Sequence, residues 1–220
     1  MTTNCAVYSV KAVSLQLILL LSFNSLAYPQ DTSATQLNQS LRDELLKMQD
    51  DDQKYRGEVH KIREMSLTAD EKQKRVAALM ERQERLDKRN IKRLVQIIDK
   101  YGWPGRSLVG REASLTAFLI IQHADLEDQK KYFPMLKEAV RRGEANQDYA
   151  ALLEDRILMR EGKKQIYGSQ LHVNEVTKQL ELWPIEDEEN VDARRTSVGL
   201  EPLAEYVKRF RLEYKPLKKK

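Results

Sequence analysis

The chain has 220 residues, 38 of them Lys or Arg and 34 Asp or Glu, for a formal net charge of +4 at neutral pH. So small a basic excess in so charged a chain makes no case for nucleic acid, and neither a glycine-rich phosphate loop nor an internal repeat is present. The single cysteine, Cys5, falls in a segment expected to be removed, which excludes disulfides, thiolate metal sites and cysteine nucleophiles from the rest.

Residues 1–27 read as a secretory signal peptide. Met1 to Ser9 is short and polar, Lys11 supplies a positive charge, Ala12 to Phe23 is apolar, and Ser25-Leu26-Ala27 offers small residues at the two positions a signal peptidase reads. The apolar run is shorter than the about 20 residues that span a bilayer. The expectation is therefore export, periplasmic or secreted, with no membrane association after cleavage. Cys5 precedes the apolar run, so it is not the acylated cysteine of a lipoprotein. Loss of Lys11 leaves a net charge of about +3. Residues 28–35 form a polar linker, 36–212 a single domain, and 213–220 a basic tail ending in Lys218-Lys219-Lys220. A mature chain of about 190 residues is long enough to be stabilised by its core alone.

From Gln36 to Met65 the apolar residues Leu37, Leu41, Leu45, Met48, Tyr55, Val59 and Ile62 repeat at helical spacing. The stripe calls for an apolar residue at 52 and receives Asp52, with Arg56 one turn on. Burying a carboxylate costs several kcal/mol unless it is paired, so Asp52 is either half of a compensated ion pair or a functional acid facing inward. Asp50 and Asp51 are read as solvated surface. Thr68 with Glu71 forms a capping box that opens a second helix reaching about Lys100. Its stripe of Val76, Met80, Gln83, Asp87, Ile91, Leu94 and Ile98 is again interrupted, by Asp87 with Asn90 at the edge. Two helices with an aspartate on the buried face suggest either a polar pocket or structural pairing with Arg56.

Tyr101-Gly102-Trp103-Pro104 stops that helix, and Ser107 is expected to cap the next. Within it Gly110, Ala113, Ala117 and Ala124 are small residues at turn spacing, suited to close packing. Leu115 to Ile121 is the most apolar run after the signal, and it delivers Gln122, His123 and Asp125 at its end. His123 is a hydrogen-bonded core residue or a base, and Asp125 is the nearest carboxylate in the sequence to orient it. Leu126 to Arg142 reads as a helix broken or turned early at Pro134, with Phe133, Leu136 and Val140 facing the core. A further helix runs from Gln147 to Arg160, capped by Asn146, with Tyr149, Leu152, Leu153, Arg156 and Ile157 inside. Gln165 to Val173 alternates as a strand, with Leu180 to Ile185 as its hairpin partner and His172 exposed. Asp187 opens a last pair of helices, Gly199 ending one and Pro202 starting the other.

The fold expected is mainly α, a helical domain of about six to eight helices with one small β-hairpin. His123, Asp125 and Asp52 are the candidate catalytic residues. Arg56, Asp87, Asn90, Gln122, Asp155, Arg156, Gln165, Tyr167, Gln170, Arg194 and Arg195 are the candidate ligand contacts. Arg56, Arg156 and Arg195 could clamp an anionic group. One His with several Asp residues could bind a divalent ion, but no His-x-x-x-His or Glu-x-x-His pair is present, and no metal or other cofactor is expected. Without a Gly-x-Ser-x-Gly turn, any hydrolysis would use activated water. The partner expected is a small polar ligand; oligomeric state is not indicated. An enzyme and a non-enzymatic binding or interaction module both remain open.

These same residues resemble an uncharacterised bacterial family, domain of unknown function 6624. The likeness rests on Asp52-Gln53-x-x-Arg56, Asp87-x-x-Asn90, Tyr101-Gly102-Trp103-Pro104 with Val109-Gly110, and Gln122-His123-Ala124-Asp125. It continues through Asp155-Arg156, Gln165-x-Tyr167-Gly168-Ser169-Gln170 and Val191-Asp192-x-Arg194-Arg195 before Gly199-Leu200. It spans about residues 40 to 207, with Ser169 where the family has Thr. The resemblance implies no activity. It does imply that the polar residues interrupting the apolar stripes are motif positions.

Overall fold

Helix α1 (Gln39–Glu64) begins where the Asn38 side chain accepts the Leu41 amide at 3.1 Å, satisfying one of the orphan donors of a first turn. The structure, a computed structural model, describes residues 37–215; the expected signal peptide, the linker and the tail from 216 onward lie outside the described residues. Along α1 the buried positions are Leu41, Leu45, Met48, Asp52, Arg56, Val59 and Ile62, so the two charged residues stand in the apolar stripe as the period required. Helix α2 (Ala69–Tyr101) opens on the full capping box of Thr68 and Glu71 and packs along α1.

Helix α3 (Arg106–His123) is the hub, in contact with α1, α2, α4 and α5. Every residue from Ala113 to Gln122 is buried, as expected of a helix whose surface is apolar all round. Its start differs from expectation. Gly105, not Ser107, occupies the cap position, and Gly110 kinks the helix at φ 80°. Gly110 is therefore a hinge in the chain rather than part of a packing stripe. A Cβ there would lie 2.8 Å from Arg42 Nη1, and the same guanidinium nitrogen bonds the Val109 carbonyl at 3.1 Å. Ala113 and Ala117 are fully buried.

Helix α4 (Leu126–Arg141) runs through Pro134 without the expected break. Proline removes the rung to the Lys130 carbonyl, and both residues are exposed, so water can take the missing donor's place. The buried face is Gln129, Tyr132, Leu136 and Ala139, leaving Phe133 and Val140 half-buried. Helix α5 (Gln147–Arg160) buries Tyr149, Leu152, Leu153, Asp155, Arg156 and Ile157, and Tyr149 stacks on Phe118 of α3 at 4.5 Å.

The C-terminal part has its own small core of Leu171, Ile185, Val191, Leu203, Tyr206 and Val207. Strands β1 (Leu171–Val173) and β2 (Leu180–Leu182) pair antiparallel, Leu171 opposite Leu182. They are shorter than the alternating runs suggested, and Gln165 meets Ile185 only in an isolated bridge. His172 is half-buried, its ring edge-on to Trp183 at 5.0 Å. A 3-10 turn (Glu188–Asn190), α6 (Val191–Ser197) and α7 (Leu203–Lys208) complete the fold. Seven α-helices and one two-stranded sheet among the described residues make the chain mainly α, as the sequence indicated. No helix of the described residues is long and apolar enough to cross a membrane.

Candidate functional site

The polar residues of the three longest helices converge. His123, in the last turn of α3, places Nδ1 3.0 Å from both carboxylate oxygens of Asp52 on α1. Gln53 donates to Asp52 Oδ2 at 2.7 Å, and Arg56 Nη1 lies 3.4 Å from Oδ1. Arg56 in turn grips Asp87 of α2 with two parallel bonds, 3.0 and 2.7 Å, the fork geometry that makes guanidinium–carboxylate pairs strong. It also donates to the Asp52 carbonyl through a short contact. Asp52 and Arg56 are both 1% exposed. Breaking such a buried pair by removing one partner typically costs about 3–5 kcal/mol.

Gln83, part of the α2 stripe but not anticipated as a site residue, bonds Asp87 Oδ1 at 2.9 Å. Its carboxamide also takes the Tyr55 N–H at 3.0 Å and gives to the Asp51 carbonyl at 3.1 Å. Asn90 is buried and donates to the Met48 carbonyl at 3.2 Å. These two residues tie α2 to the backbone of α1.

Electrostatics fix the protonation pattern. Burial alone would raise the Asp52 carboxyl, but the His123 ring and the Arg56 guanidinium hold it below the usual carboxylate range. Burial presses the His123 imidazole below its ordinary value, reinforced by the charges of Arg56 and Arg156 and opposed by Asp52. The ring is therefore neutral at pH 7. An ionised Asp52 can only accept, so Nδ1 carries the proton and Nε2 keeps a lone pair. No described residue bonds Nε2, and the His123 side chain is 7% exposed.

Gln53, Arg56, Phe118, Leu119, Gln122, His123 and Arg156 enclose a cavity of about 10 Å³ beside this ring, room for about one water. Gln122 also lines it, and neither atom of its buried side-chain amide is hydrogen-bonded. Arg156 enters from α5, bonding the Gln122 carbonyl at 3.1 Å and Gln170 Oε1 at 3.2 Å. Burial and the Arg160 charge lower its pKa to about 9. A wider groove, about 510 Å³, lies between the 102–108 turn and α4 and contains none of the expected residues.

The remaining candidates stand elsewhere. Asp125 is exposed and caps α4 by accepting the Asp128 amide at 2.9 Å; the carboxylate that orients His123 is Asp52, not its near neighbour. Asp155 gathers the amides of Ile166, Tyr167 and Ser169 at 2.7 to 3.2 Å. Gln165 bonds the backbone of Gln170 and Trp183. Arg194 holds the carbonyls of Ile166, Glu186 and Asp187, and Arg195 those of Tyr167 and Glu201. Tyr167 is half-buried outside the cavity. Arg195 is thus no anion clamp; Asp155 ties the C-terminal part to α5, while Gln165, Arg194 and Arg195 brace that part from within. Gln170 touches the site through Arg156 alone. Among the described residues no three His, Cys, Asp or Glu side chains gather as a metal cluster.

A family model described as "Family of unknown function (DUF6624)" matches residues 39–220. No curated protein and no solved structure matches the chain.

Proposed function

The chain belongs to DUF6624, a family of unknown function, and we propose that it is an exported protein whose His123 cavity binds and hydrolyses a small polar ligand. The observation that carries this reading is an oriented imidazole: Nδ1 is held by Asp52 at 3.0 Å, no described residue bonds Nε2, and the ring lines a water-sized cavity. Asp52 would stabilise the imidazolium once Nε2 takes a proton, and Arg56 would keep Asp52 ionised. The cavity lining contains no Ser, Thr or Cys, so water is the nucleophile, and a positioned base contributes on the order of 10²–10⁴ to such a step. Of the lining side chains Gln53 and His123 are the least buried, which puts the entrance between α1 and the end of α3.

The test is His123→Asn, whose amide can still donate to Asp52 but offers no basic nitrogen. On a panel of small ester, amide and phosphoester substrates, turnover by the wild type is expected to fall about 100-fold or more in the variant, with stability changed by about 1 kcal/mol or less. Equal behaviour of the two proteins on every substrate would sink the reading. The rival, a non-enzymatic module with a structural polar network, is favoured by the mutual pairing of Asp52, Arg56, Asp87 and Gln83. It forecasts no turnover from either protein. Export is checked by whether the N-terminus in the cell is Tyr28.

A further inference from the structure

We propose that Arg156 and Gln122 anchor a carboxylate, so that a ligand of the His123 cavity carries a single carboxylate group and, on binding, widens the water-sized space seen here. The inference rests on reading that cavity as a ligand site. Arg156 is a buried guanidinium whose bonded N–H groups meet only neutral oxygens, the Gln122 carbonyl and Gln170 Oε1. No carboxylate of the described residues pairs with it. Desolvating a cation without a counter-charge is unfavourable, and an incoming anion removes that penalty. The neighbouring Arg56 is already engaged by Asp52 and Asp87. Arg195 also lacks an acid, but it lies over the Tyr206 ring at 4.9 Å and lines no part of the cavity.

Gln122 supplies the second, independent observation. It is 3% exposed, lines the same cavity, and has neither side-chain oxygen nor nitrogen bonded. Native proteins seldom leave a buried carboxamide wholly unpaired. Its N–H can complete the coordination of a carboxylate begun by Arg156, leaving Oε1 for an O–H or N–H of the same ligand. The chemistry selects a carboxylate over a phosphate. One free guanidinium and one carboxamide offer capacity for one negative charge, and the Nε2 lone pair of His123 adds none. The ionised Asp52 behind His123 repels a second, and the buried faces of Phe118 and Leu119 suit a small planar group better than a tetrahedral dianion.

The experiment titrates acetate, acetamide and inorganic phosphate into wild type, Arg156→Gln, Gln122→Glu and His123→Asn, followed by calorimetry and thermal shift. On the wild type, acetate is expected to bind about tenfold or more tighter than acetamide or phosphate, the difference a charge-assisted hydrogen bond makes. Gln122→Glu brings its own carboxylate to Arg156. It should melt higher than wild type and lose the acetate preference, which keeps the test decisive if Arg156→Gln fails to fold. His123→Asn should still prefer acetate. Acetate binding no tighter than acetamide, a preference for phosphate, or an unchanged acetate response in Gln122→Glu would each overturn the inference. Failure of the base reading looks different: turnover that survives His123→Asn while the acetate preference persists.

Discussion

Asp148 is a residue that the fold holds against its chemistry. Burial raises its pKa from 3.8 to about 6, against the hydrogen bond from the Tyr149 amide and the Arg106 charge. The folded protein therefore binds that proton more tightly than the unfolded chain does, and stability falls as pH rises from about 4 to about 6. At about 1.4 kcal/mol per pH unit the gap amounts to at most about 3 kcal/mol. Asp148→Asn should recover part of this at pH 7 and nothing below pH 4, as urea denaturation at the two pH values will show. His123 has the opposite sign. Its pKa is lowered on folding, so its contribution is present at neutral pH and lost as pH falls below about 6.5. At this scale the sequence was informative about which residues matter and poor about their partners. Asp52, Arg56 and Asp87 announce themselves by interrupting apolar stripes of fixed period. The contact of His123 with Asp52 spans 71 positions, and nothing in a local period reports it, so the adjacent Asp125 was the natural but wrong partner.

Helix α3 shows what one backbone angle controls. Gly110 turns the chain at φ 80° between the opening turn and the buried run that carries His123. Any side chain there is strained by its φ, and a Cβ would also press on Arg42. Gly110→Ala is expected to cost about 1–3 kcal/mol, read as a lowered melting temperature, with the Arg42 bond to the Val109 carbonyl lost. Helix ends were legible where caps are local: the Thr68–Glu71 box and Gly102 after α2 each act within one turn. Pro134 and Gly110 misled for one physical reason. A proline is tolerated where water can serve the freed carbonyl, and a glycine may kink or pack, and both outcomes depend on what lies outside the helix. The short strands misled similarly, since alternation in residues 165–173 serves the Asp155 turn rather than a longer ladder.

Taken whole, the molecule is two cores joined through α5, by the buried acid Asp155 and by the bond of Arg156 to Gln170. Asp155 of α5 collects the amides of the 166–169 turn, where Gly168 adopts φ 70° against Ile185 and Leu203. Tyr206 adds a bond to the Ser169 carbonyl at 2.7 Å. Asp155→Ala leaves these amides without their acceptor, and each buried unpaired group costs about 1–3 kcal/mol. Hydrogen exchange should then quicken across residues 165–173 while the amides of α1 and α3 stay protected; uniform quickening would mean that the two cores unfold as one. The carboxamide of Gln83 sets a different limit. By bonding both Asp51 O and Tyr55 N it engages the two backbone groups that a helix normally pairs with each other. Sliding α1 along α2 by one turn, about 5.4 Å, would take Asp52 out of reach of His123. Together with Asn90, that amide acts as an axial stop, so the spacing of Asp52 and His123 is fixed in part by residues that touch neither of them.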